Sequence, residues 1–211
     1  MATTDGWTMF ATDARCYLEE RVLNLRVVLV WLLVLVGVLV TTADPLSQLL
    51  GLAIITVLFI LAFRLWDDLA DLEHDRKHRP ERCLTRVQNL WPFHALLWLT
   101  AAVVFNLLLL LAGEKRALCF LAMVAIFAVS YRLTEGRPAL RPLRVLLVLA
   151  KYPTFVLLLA DEPLDGSSVL VALGVFIPPL VDEVRSAGPD ILLPAATFFV
   201  LVAIGWLSLK I

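Results

Sequence analysis

Residues 49–65 read LLGLAIITVLFILAFRL, and this run decides the fold because Arg64 is the only charge in it. A helix that crosses the hydrocarbon core of a bilayer needs about 20 mainly apolar residues, and the apolar run from 46 to 66 has that length. Open strands leave backbone groups unpaired in lipid, so the run predicts a membrane-spanning helix. The composition agrees, because 61% of the 211 residues are hydrophobic, compared with about 45–50% in soluble domains.

Apolar segments of this length recur along the whole chain and predict a polytopic helix bundle. They are separated by turn-forming sequences such as TTADPLS and RSAGPD. We therefore expect an all-α fold with a single membrane domain over 1–211. The predicted spans are about 22–42, 46–66, 90–112, 116–134, 143–160, 167–185 and 190–210.

The segment before the first span is polar and acidic, unlike a signal peptide. Trp7, Phe10 and Tyr17 recur in it at roughly helical spacing, which indicates a short amphipathic helix on the membrane surface. A frayed tail with chance aromatics is the alternative for 1–21.

The distribution of Lys and Arg predicts the orientation of the bundle. Cytoplasmic loops carry an excess of these residues, and only Lys115, Arg116 and Lys210 fall on the side opposite the remaining cations. We expect a multi-pass protein of the bacterial inner membrane with a cytoplasmic N-terminus and an external C-terminus.

The cysteine pattern argues against a crosslinked or zinc-binding protein. Cys16, Cys83 and Cys119 are far apart, odd in number and without a CxxC pair. The sequence therefore predicts neither a disulfide framework nor a zinc site.

The second span is followed by a dense charged stretch, WDDLADLEHDRKHRPERCL, at 66–84. Asp67, Asp71 and Asp75 are spaced i, i+4, i+8, so on a continuous helix they would line one face. Like charges at this spacing destabilise a helix, and Mg²⁺ is a cation that carboxylates could hold together with phosphate oxygens. Basic residues that would meet the same phosphate follow directly: Arg76, Lys77, Arg79 and Arg82.

The stretch thus predicts a Mg²⁺–diphosphate clamp. Two other interpretations remain: a solvated loop that obeys the positive-inside rule, and a weaker transition-metal pair formed by His74 and His78.

This stretch resembles the first aspartate-rich motif of the UbiA superfamily of intramembrane prenyltransferases. That motif also follows the second span and runs N-D-x-x-D-x-x-x-D before a basic R-P-x-R-P-L segment. Asp67 stands where the family usually has Asn, and Cys83 where Pro is common. The matching residues are Asp68, Asp71, Asp75, Arg76, Arg79, Pro80, Arg82 and Leu84.

The resemblance also implies a second acidic motif at the end of the sixth span. Asp182 lies where its first acid is expected, while Ser186 replaces the second. Glu183 and Asp190 are the other acids that could complete it. The YRLTEGRPALRPLR segment at 131–144 resembles the family's Tyr-plus-basic loop, and it offers diphosphate contacts that ordinary inside-loop charges would also explain: Tyr131, Arg132 and Arg137.

Lys151 lies within the fifth predicted span. An ionisable side chain at such a depth indicates function, because a charge that faces lipid is costly. We expect it to pair with Asp182 or to reach a diphosphate; snorkelling to the surface is the alternative.

The resemblance implies a prenyltransferase that moves a prenyl group from a polyprenyl diphosphate to an acceptor, commonly an aromatic one. Mg²⁺ would be the cofactor, held by Asp67, Asp68, Asp71, Asp75 and Asp182, and no nucleic-acid partner is expected. The family usually has nine spans, so a second copy or a partner subunit would complete this seven-span bundle. A non-catalytic membrane subunit or an isoprenoid- or lipid-binding protein is the alternative.

Overall fold

The structure, a computed structural model, describes residues 4–134, 137, 140–161, 166–187 and 196. The described part of the chain is helical and contains no strand. Its helices are α1 (Thr4–Tyr17), α2 (Leu25–Val40), α3 (Pro45–Ala70), α4 (Leu72–His78), α5 (Cys83–Arg86), α6 (Trp91–Leu111), α7 (Glu114–Thr134), α8 (Arg141–Leu159) and α9 (Gly166–Ala187), with a π-helical turn, Leu18–Val22, after α1.

Within the described ranges, five helices are long and apolar enough to cross a membrane. They correspond to five of the predicted spans: Pro45–Ala70, Trp91–Leu111, Glu114–Thr134, Pro142–Leu159 and Gly166–Arg185. The fold class, an all-helical bundle with several candidate spans, is thus confirmed, whereas a count of seven is not.

The first and last predicted spans have different outcomes. Helix α2, in the predicted 22–42 segment, has 16 residues, fewer than the roughly 17–25 of a typical span. It gives a sixth candidate only when it is joined to Phe10–Val22 across a bend of 69°. The predicted span 190–210 lies outside the described residues, apart from Ala196.

Charged residues from several helices gather at one end of the bundle, where Asp67 near the end of α3 contacts Tyr131 near the end of α7 and Lys151 of α8. We call this the charged end; there α3 ends and α8 begins. At the opposite end, the backbone N–H of Asp161 donates to the carbonyl of Thr41 at 3.1 Å, which ties the α2–α3 connection to the end of α8.

Aromatic side chains fill the space between α3, α7 and α8. The rings of Phe59 and Phe155 stack with their centroids 4.4 Å apart, and Phe63 packs edge-on against Phe127. All four are buried. Such rings contribute a large apolar area, so this layer holds the three helices together directly beneath the charged end.

The segment from Thr4 to Val22, which we call the N-terminal arm, packs on the charged end. Its residue Cys16 forms a disulfide with Cys83 at the start of α5, and the two Cα atoms lie 6.1 Å apart. The expectation of no disulfide was therefore wrong. Residues 67 positions apart in sequence carry no local signal of their proximity; tertiary packing brings them together.

Gly37 lies where α2 packs tightly against Val156 of α8 and Val175 of α9. A Cβ atom at this position would lie 2.8 Å from Val175 Cγ2 and 3.0 Å from Val156 Cγ2. Valine is restricted about χ1, so neither methyl group can easily turn away.

We expect Gly37→Ala to lower the free energy of unfolding by about 1–3 kcal/mol, because overpacking forces helices apart. Thermal unfolding of the detergent-solubilised protein measures this. Gly51→Ala is the matched control: its Cβ would make an ordinary contact, 3.6 Å from Leu111 Cδ1. Equal stability of the two variants would contradict the close packing at Gly37.

Candidate functional site

Four aspartates of the charged stretch lie at the charged end and define what we call the aspartate cluster. Asp67 and Asp68 belong to the last turn of α3, Asp71 forms the turn to α4, and Asp75 lies in α4. Three of the four residues are buried, with 5–8% of their surface exposed, whereas Asp71 is half-exposed. Buried carboxylates need charged or hydrogen-bonding partners, and each of the four has one.

Asp67 and Asp71 both face α8. Lys151 and Tyr131 donate to the two oxygens of Asp67, and Arg144 donates to Asp71. Lys151 is 1% exposed, and Asp67 is its ion-pair partner. Because Arg144 precedes Lys151 by seven residues, the two cations share one face of α8. This face meets Asp67 in the last turn of α3 and Asp71 directly after α3.

Asp68 points to the N-terminal arm. The Tyr17 hydroxyl donates to it at 3.0 Å and Arg21 Nε at 3.1 Å, while Arg21 also makes a second contact with the other oxygen. Arg64 lies one turn earlier on α3, with its Nε 3.6 Å from Asp68. The arm is thus anchored to the bundle by a buried, charge-assisted network.

Asp75 shares a pocket with Asp68. Arg82 donates to Asp75, and the pocket between the two acids is lined on its other side by Tyr17, Glu20 and Arg21. Its interior has about 10 Å³ of free space, which is room for about one water molecule. The N-terminal arm therefore forms one side of this pocket, which has no room for a ligand larger than about one water molecule.

The row of Asp67, Asp71 and Asp75 on one face, expected from the sequence, is not what the structure has. Seven residues of α-helix turn about 700°, which is about 20° short of two full turns, whereas eight residues overshoot by about 80°. Asp75 therefore aligns with Asp68 rather than with Asp67. The acids form two pairs: Asp67 and Asp71 towards α8, and Asp68 and Asp75 towards the N-terminal arm.

The surroundings of Asp71 disfavour the ionised form of its carboxyl group. Its partial burial raises the pKa of this carboxyl above its usual range, and the nearby charges of Asp67 and Asp75 add to the rise, while Arg144 opposes it. A cation that approached Asp71 would relieve this repulsion.

Several predicted site residues lie outside the cluster. Asp182 is exposed and pairs with exposed Arg26 at 3.7 Å, and Lys151 pairs with Asp67 rather than with Asp182. Asp190 lies outside the described residues, and Glu183 is partly buried one residue beyond Asp182. Four predicted phosphate contacts are exposed and form no ion pair with another described residue: Arg76, Arg79, Arg132 and Arg137.

Sequence reasoning missed four residues that pair with the aspartate cluster, although each has a spacing signal: Tyr17, Arg21, Arg64 and Arg144. Tyr17 and Arg21 are four residues apart, as are Arg64 and Asp68, and Arg144 and Lys151 are seven apart. Such spacings place side chains on one helix face. Which neighbouring helix a face meets is decided only by the tertiary fold.

Of the four aspartates, Asp71 and Asp75 are the two that have a carboxylate oxygen available to bind Mg²⁺. Both oxygens of Asp67 and of Asp68 already accept hydrogen bonds. Asp71 and Asp75 each use one oxygen in their ion pair, and one or two carboxylates suffice for Mg²⁺ that arrives with phosphate and water ligands. In the described ranges, the one set of three or more His, Cys, Asp or Glu donors with ligand atoms within 4.8 Å of one another is Cys16, Glu20 and Cys83.

Comparison with known proteins gave no matching family model, no matching curated protein and no matching solved structure. The interpretation of the site therefore rests on the motif in the charged stretch and on the contacts of the aspartate cluster.

We expect Lys151→Met to lower the free energy of unfolding by about 3–5 kcal/mol, because it leaves the Asp67 charge buried without its cation. The double variant Asp67→Asn, Lys151→Met should recover most of this loss. Thermal unfolding of the four proteins of the cycle in detergent measures both effects.

Arg15→Gln is the control, because the Arg15–Glu19 pair is exposed on both sides and such pairs contribute little. A Lys151→Met protein as stable as the wild type would show that the Asp67–Lys151 pair does not hold α3 to α8.

Proposed function

We propose that this chain is an intramembrane prenyltransferase of the UbiA type, which transfers a prenyl group from a polyprenyl diphosphate to an acceptor, commonly an aromatic one. The observation that carries the proposal is the convergence of cations and tyrosines on the four aspartates of the motif. These partners come from the N-terminal arm, α3, α7, α8 and the connection to α5. A donor with a lipid tail also suits a site at one end of a membrane bundle.

The pairing of the cluster suggests how a diphosphate would be accepted. Arg144 and Arg82 now neutralise Asp71 and Asp75. When a diphosphate with its cation arrives, the two arginines would turn to the phosphate oxygens and the two carboxylates to the cation. Every charge keeps a partner of opposite sign in this exchange, so no buried charge is left uncompensated.

Asp71 and Asp75 are the residues that would hold Mg²⁺, which when bound supplies Lewis-acid stabilisation of the negative charge on the diphosphate leaving group. Arg144 and Arg82 would donate hydrogen bonds to the same leaving group as the allylic C–O bond breaks. Tyr131 and Lys151 fix Asp67 at the base of the cluster and so hold α8, which carries Arg144, against α3. The apolar helices would exclude water from the allylic cation until the acceptor attacks it.

The proposal includes an orientation and a partner. The loops at the charged end carry most of the Arg and Lys, so we assign this end to the cytoplasm of a bacterial cell, with the N-terminus inside and the C-terminus outside. A second copy or a partner subunit would complete the tunnel for the prenyl tail, because the described residues contain five or six candidate spans, compared with the family's usual nine.

A second candidate is a non-catalytic membrane subunit that binds an isoprenoid or phospholipid head group. Two observations favour it: Asp182 pairs with Arg26 rather than joining the cluster, and Asp67 and Asp68 are fully engaged by the protein's own side chains. Such a protein would bind a diphosphate lipid without releasing diphosphate.

The decisive measurement is diphosphate release from labelled geranylgeranyl or longer diphosphates, with a panel of acceptors and with or without Mg²⁺. We expect Mg²⁺-dependent release in the wild type. Asp71→Asn combined with Asp75→Asn should lower the rate about a hundredfold or more, because the cation loses its protein ligands.

Glu73→Gln is the matched control, since Glu73 is exposed on the same short helix and should leave the rate unchanged. Binding without release by the wild type, with or without Mg²⁺, would refute the transferase and favour the binding protein. Undiminished release in the Asp71, Asp75 variant would refute the assignment of these two ligands.

A further inference from the structure

The disulfide between Cys16 and Cys83 lies directly beside the closed pocket. Cys16 belongs to the last turn of α1, and Cys83 begins α5. Their Cα separation of 6.1 Å falls within the usual range of about 4.4–6.8 Å for disulfides. Cys16 is exposed, whereas Cys83 is buried, so a small reagent in solution can approach the pair from the Cys16 side.

The residues that follow Cys16 are those that close the pocket. Tyr17 and Arg21 bond to Asp68, and the Glu20 carboxylate accepts the backbone N–H of Cys83 at 2.7 Å. The pocket holds about one water molecule. Any larger ligand can therefore reach Asp68 and Asp75 from this side only when the N-terminal arm moves.

We propose that Cys16 and Cys83 are a reversible redox clasp that fastens the N-terminal arm over the pocket. As a disulfide, the pair links the arm covalently to α5 and keeps the pocket closed. As two thiols, it leaves the arm held by hydrogen bonds and ion pairs alone, which break and re-form. This inference depends on the contacts of the arm and, for its resting redox state, on the cytoplasmic orientation proposed above, but not on transferase activity.

The covalent step is a thiol–disulfide exchange with a small-molecule disulfide such as oxidised glutathione. The Cys16 thiolate attacks one sulfur of the glutathione disulfide and releases a first glutathione thiolate. The Cys83 thiolate then attacks the Cys16 sulfur of the mixed disulfide and releases the second. Two cysteine thiols are oxidised, one glutathione disulfide is reduced to two thiols, and the two cysteine protons pass to the released thiolates.

The location of the clasp suggests when it closes. It lies at the charged end, which we assign to the cytoplasm, where disulfides are rare and usually transient or redox-sensing. The resting form is then the dithiol, and oxidation closes the pocket. Cys119 is free and exposed elsewhere in the bundle, so it serves as an internal reference thiol.

The test uses the full chain in lipid nanodiscs, equilibrated with either reduced or oxidised glutathione. The glutathione is then removed under conditions that stop thiol–disulfide exchange. Mass spectrometry after maleimide labelling of the denatured protein counts the thiols. Hydrogen exchange of the intact protein reports the opening of the N-terminal arm. We expect three thiols and a mobile arm in the reduced form, and one thiol with at least about tenfold slower exchange in the arm of the oxidised form.

Cys119→Ser is the matched control and should retain the full redox difference in exchange, whereas Cys16→Ser and Cys83→Ala should each abolish it. Three labelled thiols after oxidation, or equal exchange of the arm in both wild-type forms, would overturn the proposal. Stoichiometric zinc in the reduced protein that blocks oxidation would also overturn it, because Cys16, Glu20 and Cys83 would then be metal ligands.

Discussion

The buried ion pair between Asp67 and Lys151 is the interaction on which the charged end of the bundle depends. A lysine that is 1% exposed inside an apolar bundle is tolerated only if its charge is compensated, and the Asp67 carboxylate compensates it. The pair therefore fixes the relative position of α3 and α8. Arg144 lies two turns before Lys151 on α8, and Asp71 lies four residues after Asp67, directly beyond the end of α3. These two residues therefore meet as well.

The rest of the cluster extends this constraint to other elements. Tyr131 brings α7 to the same carboxylate, and the aromatic layer of Phe59, Phe63 and Phe155 packs the three helices below it. On the opposite face of α3, Asp68 binds the N-terminal arm. The charged end thus combines a rigid part, formed by long helices, with an arm that is held by side-chain contacts and one disulfide.

The diphosphate-binding proposal and the redox-clasp proposal therefore depend on different residues of the charged end. The proposed acceptance of a diphosphate would depend on Arg82 and Arg144, whose respective partners Asp75 and Asp71 each retain an oxygen outside their ion pairs. The control of access depends on Tyr17 and Arg21, because these side chains close the pocket. In such a site the binding groups can be in place while the N-terminal arm still covers them, because the arm is a separate segment of the chain.

The sequence by itself determined the all-helical fold with several candidate membrane spans, because an apolar run of span length pairs its own backbone groups as a helix. It also singled out the aspartates and Arg82 as a dense charged stretch after an apolar run, Tyr131 through the motif resemblance, and Lys151 as an ionisable residue within an apolar segment. The tertiary structure decided which partner each charge has. Asp75 joined Asp68 rather than Asp67, Asp182 met Arg26, and Cys16 met Cys83, because helical periodicity fixes the face on which a side chain lies, and only packing fixes what that face meets.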